Sequence, residues 1–407
     1  MQSQANTDKP HSQATTVQLH AYFSLQLPLL TSLARPTHSS APKVPEAENQ
    51  LTDMNPLSVT FLTLATIIIP FAHTKDLIID TDLFSDVDDA GALLLAATSP
   101  DVNLLAVNVN YPSSYSALAA SAILAHYGHP NIPIGIPRPL TNATFFDGWF
   151  YELGEYASKI AFHFSGGSLP WGHAEDAWHP VALYRKSLAE AEDGSVTIVS
   201  IGFLDNLSAL LNSTADTYSP LTGRQLVSRK VSELVVMGGG YPSGRSWNFW
   251  GSSNNASLAA AHALNSWDGR VTFVGDDVGK NVLSGAPLMR QGPESDPVRK
   301  AYIYYSYYHP RPSWDPLTVL YAIYGLGDLF EFGNEYGYNH VEPDGTNRWV
   351  WDEEVRNQQF LRLRVDNETA AAEVDRLFLR GALSAMTGQQ GPRTGGLLCS
   401  SCGHEEL

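Results

Sequence analysis

From Asp76 onward, short β-rich runs alternate with helix-patterned stretches, and that alternation leaves few folds open. The runs DLIID (76–80), VNLLAVNVN (102–110), IPIGI (132–136), SVTIVSIG (195–202), VSELVVMGGG (231–240) and RVTFVG (270–275) read as strands. Helical patterns cover 88–98, 115–128, 179–192, 205–213, 255–266 and 315–325. Gly128 is a helix stop, and Asp205 is a candidate N-cap. Repeated β-α-β-α order means crossovers that return to parallel strands. The expected fold is therefore α/β, an open, mainly parallel sheet with helices on both faces. In such sheets ligands lie beyond the carboxyl ends of the strands, so the residues just after each strand are the ones to question.

The flanks of this region read differently. Residues 1–53 are polar and look like a disordered leader, or an extension of the gene model ahead of Met54. Residues 54–74 contain an apolar run from Leu57 to Ile69, too short for a membrane span of about 20 residues. With small residues at Ala72 and Thr74 it reads as a signal peptide and predicts a secreted protein. Sequons at Asn142, Asn206, Asn212, Asn255 and Asn367 fit export, although Asn206 is expected to lie too deep for modification. The catalytic domain is expected over 75–383, with strands and turns from Leu329 to Arg364, a last helix over 366–383 and a disordered tail at 384–407. The only cysteines, Cys399 and Cys402, fall in that tail beside His404 and read as incidental. The net charge of −17, with no basic cluster, argues against a nucleic-acid partner.

The stretch LIIDTDLFSDVDDAGALLLA (77–96) carries Asp80, Asp82, Asp86, Asp88 and Asp89 across one strand–helix junction. A helix N-terminus favours an acidic group by roughly 0.3–1 kcal/mol, too little to gather five carboxylates. A hard divalent cation would gather them, and calcium takes six to eight oxygen ligands. An EF-hand loop does not fit, because Phe84, Ser85 and Gly91 occupy its key positions. A haloacid-dehalogenase-type phosphatase also starts with a strand and D-x-D, but Leu83 and Phe84 stand where Gly-Thr or Gly-Val is expected.

The stretch IIDTD…DVDDAGAL resembles the D-T-D-P-G-x-D-D-A signature of inosine–uridine-preferring nucleoside hydrolases, with a turn two residues longer. VTIVSIGFLDNLSALL, LVVMGGGYPSG, WNFWGSSNNASLAAAHA and SWDPLTVLYA resemble further blocks of that family and occur in its order, from about Leu77 to Leu379. The resemblance implies a Rossmann-like sheet and calcium-dependent hydrolysis of the N-glycosidic bond of ribonucleosides, giving base and ribose. It implies calcium ligation by Asp82, Asp89, Asp315 and the main-chain carbonyl of Asp205, with Asp88 as general base. It places Asn248 and Ser246 at the sugar, Ser246 standing where the family has glutamate. Ser113 or Ser114 stands near a family asparagine. Asp80 becomes a supporting or substrate-side group, and Asp86 a turn or cap residue without a counterpart. Trp314 replaces a histidine that serves the leaving base, so it can stack on the base and cannot protonate it. His173, His179 and His309 are candidates for that proton, and Trp247, Trp250 and Trp314 for the base pocket. Related proteins are often dimers or tetramers, so a homodimer or homotetramer is expected, and the expected partner is a small-molecule nucleoside. Two other readings stay open: a metal-dependent phosphatase, and a non-catalytic nucleoside or sugar binder on the same fold.

Overall fold

The computed structural model describes residues 74–146, 154–251 and 254–387. The expected leader and nearly all of the expected signal segment, together with Cys399, Cys402 and His404, lie outside the described residues. The last helix runs Asn367–Thr387, past the helix end expected at 383. Among the described residues no helix is long and apolar enough to cross a membrane.

The centre is an eight-stranded sheet. Its spatial order is Phe330–Phe332, Gln358–Leu363, Val271–Val274, Val231–Met237, Val196–Ser200, Lys75–Thr81, Val102–Val109 and Ile134–Gly135. Every neighbouring pair is parallel except the antiparallel edge Phe330–Phe332 against Gln358–Leu363. The strand side chains alternate between two apolar clusters. Leu77 and Ile79, Val199 and Ile201, and Val235 and Met237 enter one cluster. Ile78, Val196 and Ile198, and Leu234 and Val236 enter the other. Helices cover both faces, which is why the central strands are apolar almost without interruption. Ser243–Arg245, Tyr338–Val341 and Thr346–Val350 form a separate three-stranded sheet.

Two local expectations need correction. Asp205 does not cap its helix: it is the first helical residue of Asp205–Leu211, Leu204 holds the cap position, and no side chain caps that end. Further helices were not expected, among them Ala157–His163, Gly223–Lys230 and Pro297–Ser306. The last two carry capping signals in sequence. Thr222 and Gln225 form a reciprocal capping box, and Asp296 accepts the Arg299 N–H at 2.7 Å ahead of Pro297. Asn206 is buried, as expected, with its amide donating to Asp80 and to the Val109 carbonyl.

The chain beyond strand Val196–Ser200 passes very close to the end of Lys75–Thr81. A methyl group on Gly202 would strike the Asp82 backbone nitrogen and Asn110 Oδ1. Backbone cannot swing aside as a flexible side chain can. Gly202→Ala is expected to destabilise the protein by about 1–3 kcal/mol through overpacking, seen as a lower midpoint in thermal or urea unfolding. An unchanged midpoint would contradict this close approach.

Candidate active site

The site is built where three chain segments meet at the carboxyl edge of the sheet. The first is the turn from Asp82 to Asp89, between the strand Lys75–Thr81 and the helix Asp88–Thr98. The second is the Ile201–Asn206 turn. The third is the start of helix Trp314–Tyr324, which carries Asp315. One carboxylate oxygen from each of Asp82, Asp89 and Asp315 lies within 4.8 Å of the others, and all three residues are buried. These are the three side-chain ligands expected from the sequence, and they could hold a metal ion.

The carboxylates of Asp82, Asp88 and Asp89 are held by hydrogen bonds. Thr81 Oγ1 donates to Asp89 Oδ1 and accepts the Leu83 N–H at 3.0 Å. Ser85 Oγ donates to Asp82 Oδ2 at 3.1 Å. The Asp315 N–H donates to Asp88 Oδ2 at 3.1 Å, so the candidate base is tied to the segment of a candidate ligand. Among the described residues, none of Asp82, Asp88, Asp89 and Asp315 forms an ion pair. Two like charges about 4 Å apart repel by about 4 kcal/mol at an effective dielectric of about 20. That exceeds what the helix N-terminus offers, so the donor set fits a bound hard cation.

The acidities express the same conflict. Burial pushes the Asp82 carboxyl up to about 7, against the Ser85 hydrogen bond. Asp89 and Asp315 are pushed well above the carboxylate range by burial and then by their acidic neighbours. Asp88 moves the same way, first through burial and then through Asp86, opposed by the Asp315 N–H and the Arg311 charge.

Asp80 lies at the end of its strand, enclosed by hydrogen-bond donors. It is fully buried and accepts Tyr184 Oη at 2.7 Å together with the amides of Asn110 and Asn206. Burial raises its carboxyl to about 7, with those hydrogen bonds opposing. Asp86 is more than a turn residue. Arg311 Nη2 donates to its Oδ2 and Arg311 Nε to its Oδ1 at 3.3 Å. Ser113 caps helix Ser114–His126 and donates to the Ala143 carbonyl at 2.7 Å, while the Ser114 N–H bonds the Thr141 carbonyl.

Asn248 is buried, with its amide donating to the Ile201 and Met237 carbonyls at 3.1 and 3.3 Å, at the ends of two strands. Ser246 Oγ accepts the Gly239 N–H at 2.8 Å and so clamps the glycine loop. The Trp314 indole N–H donates to the Asp276 carbonyl at 2.8 Å, and the ring is partly buried against the apolar core. Trp247 packs edge-on against Trp250 at 4.7 Å and also meets Phe203. Phe203 contacts Tyr111, which contacts Phe84 in the acidic turn, so an aromatic wall runs from the turn to Trp247. His173, His179 and His309 are exposed, and His173 pairs with Asp176 at 3.3 Å. The sequence reading missed Thr81, Ser85 and Arg311, because an ordinary polar residue gains meaning only from its partner.

Sheet and site together define a class: an α/β protein whose chemistry sits at the carboxyl edge of a parallel sheet, around buried carboxylates. Comparison with known proteins narrows the class. Residues 77–377 match the model of the inosine-uridine preferring nucleoside hydrolase family, and the chain belongs to that family of N-glycosyl hydrolases. An inosine-uridine preferring nucleoside hydrolase of Crithidia fasciculata is 27% identical over 230 residues, 54% of this chain and 66% of that protein. An uncharacterized protein of Schizosaccharomyces pombe is 30% identical over 171 residues, 40% of this chain and 49% of its own length. The aligned segments thus span less than two thirds of these relatives. A plant nucleoside hydrolase structure shares the fold with a TM-score of 0.54 at 18% identity, covering 75% of this chain and 99% of that one.

Unfolded carboxylates titrate near 3.9. Between about pH 4 and pH 7 the folded, metal-free chain therefore holds more protons than the unfolded chain, and its stability falls as pH rises through 7. A divalent cation competes with those protons. The thermal midpoint of chelator-treated protein should drop between about pH 5.5 and about pH 8, and added cation should raise it more at the higher pH. An equal cation-induced rise at both pH values would contradict the shared-carboxylate site.

Proposed function

We propose that the protein hydrolyses the N-glycosidic bond of ribonucleosides with calcium at Asp82, Asp89, Asp315 and the Asp205 carbonyl. The observation that carries this reading is the convergence of three buried, unpaired carboxylates beside a fourth, Asp88, inside the region that matches the family. Calcium in this position would offset the buried charge, bind the sugar 2′- and 3′-hydroxyls and acidify a water.

The residues then divide the work. Asp88 is the general base: one oxygen is fixed by the Asp315 N–H, and the carboxylate takes the proton from the attacking water. Cleavage develops positive charge on the ribose, as in O-glycoside hydrolysis, and the surrounding carboxylates favour that charge. Asn248 and Ser246 face the sugar from the glycine-loop side. Each already spends part of its hydrogen-bonding capacity on the backbone, which fixes its position. Trp314 offers the base a flat face, because its N–H is engaged. The leaving base therefore departs through stacking and solvent, or through a proton from a group other than Trp314.

The test is ribose release from inosine, uridine and adenosine, with and without chelator. Asp88→Ala should lower kcat by about 10²–10⁴-fold while calorimetry still detects calcium. Asp82→Asn and Asp89→Asn should instead lose calcium binding. Full turnover in Asp88→Ala would refute the base assignment. Release of phosphate from phosphate esters without ribose release would favour the phosphatase reading.

A further inference from the structure

The acidic turn carries one aspartate that is neither ligand nor base in the reading above: Asp86, in its longer part. Both its carboxylate and its main-chain carbonyl are held. Arg311 grips its carboxylate through Nη2 and Nε, and the Tyr156 hydroxyl donates to its carbonyl at 2.6 Å. Its Oδ1 also accepts the Val87 N–H at 2.6 Å. The Arg311 guanidinium lies over the Tyr305 ring at 5.1 Å, and Tyr305 packs edge-on against Tyr156. Both members of the ion pair are largely buried, with side-chain exposures of 16% for Arg311 and 23% for Asp86.

Arg311 stands just ahead of Asp315 in the chain. Two links therefore join the acidic turn to the 311–315 segment: Asp86 with Arg311, and Asp88 with the Asp315 N–H. Both hold together segments that bring mutually repelling carboxylates. We propose that Arg311 is a positioning residue. Its ion pair with Asp86 sets the acidic turn against the Asp315 segment, so that Asp82, Asp89 and Asp315 converge before a cation arrives. This inference rests on the calcium reading above.

Electrostatics separates positioning from simple charge balance. Removing the Arg311 charge alone makes the neighbourhood more negative, which by Coulomb attraction strengthens cation binding. Losing the latch weakens it. The double variant Asp86→Asn/Arg311→Met has the same net charge as the native pair and lacks the latch, so it isolates the geometric effect.

The experiment is calorimetric titration of chelator-treated protein with calcium chloride, with circular dichroism and thermal melts to verify folding. Native protein binding one calcium tests the underlying reading; no binding there would overturn that reading and, with it, this one. Given native binding, the folded double variant should bind calcium about 10–100-fold more weakly, the range seen when outer hydrogen-bonding partners of ligands are removed. Its kcat at saturating calcium should stay close to native, which separates positioning from a direct part in the chemistry. Arg311→Lys keeps the charge but loses the two-pronged grip, and its affinity should fall between native and double variant. Native affinity in the folded double variant would overturn the latch.

Discussion

Mutual repulsion among buried carboxylates is the constraint on which this structure depends. Asp82, Asp88, Asp89 and Asp315 sit out of water, close to one another and without an ion pair among the described residues. No network of neutral donors cancels such a cluster. Thr81, Ser85 and the Asp315 N–H fix where oxygens point, yet every acidity in the group is still displaced upward, first by burial. The protein thus holds a site whose unfavourable energy is relieved by either protons or a cation.

The fold supplies the rigidity that this requires. The strand Lys75–Thr81 lies between Val196–Ser200 and Val102–Val109, with helices over both faces. Its last residues therefore cannot retreat from the charge that gathers beyond them. Asp80 anchors the strand end through Tyr184, Asn110 and Asn206, which ties three neighbouring segments to one carboxylate. Gly202 lets the next turn press against the Asp82 backbone. The site is consequently a property of packing between elements far apart in sequence.

Much of this was legible in the sequence. The alternation of strand and helix patterns gave the sheet and its two covered faces, because burial on both sides writes an apolar run in each central strand. The spacing of the aspartates gave the metal hypothesis, and the family resemblance linked it to Asp315. What stayed hidden was relational. Nothing local marks Arg311 as the partner of Asp86, since 225 positions separate them. The Ser246 and Trp314 side chains could be named as contacts, but the backbone groups that occupy them, the Gly239 N–H and the Asp276 carbonyl, depend on loop paths. Asp80 was ambiguous because support and contact use the same chemistry, and its partners Tyr184, Asn110 and Asn206 come from segments distant in sequence. Gly223–Lys230 and Pro297–Ser306 escaped notice even though their caps are written in the sequence.

The central claim is that one calcium ion joins these carboxylates. Anomalous diffraction from crystals grown with calcium tests it most directly. The account predicts a single strong peak about 2.3–2.6 Å from oxygens of Asp82, Asp89 and Asp315 and from the Asp205 carbonyl. A peak elsewhere, or none between these carboxylates at saturating calcium, would contradict it.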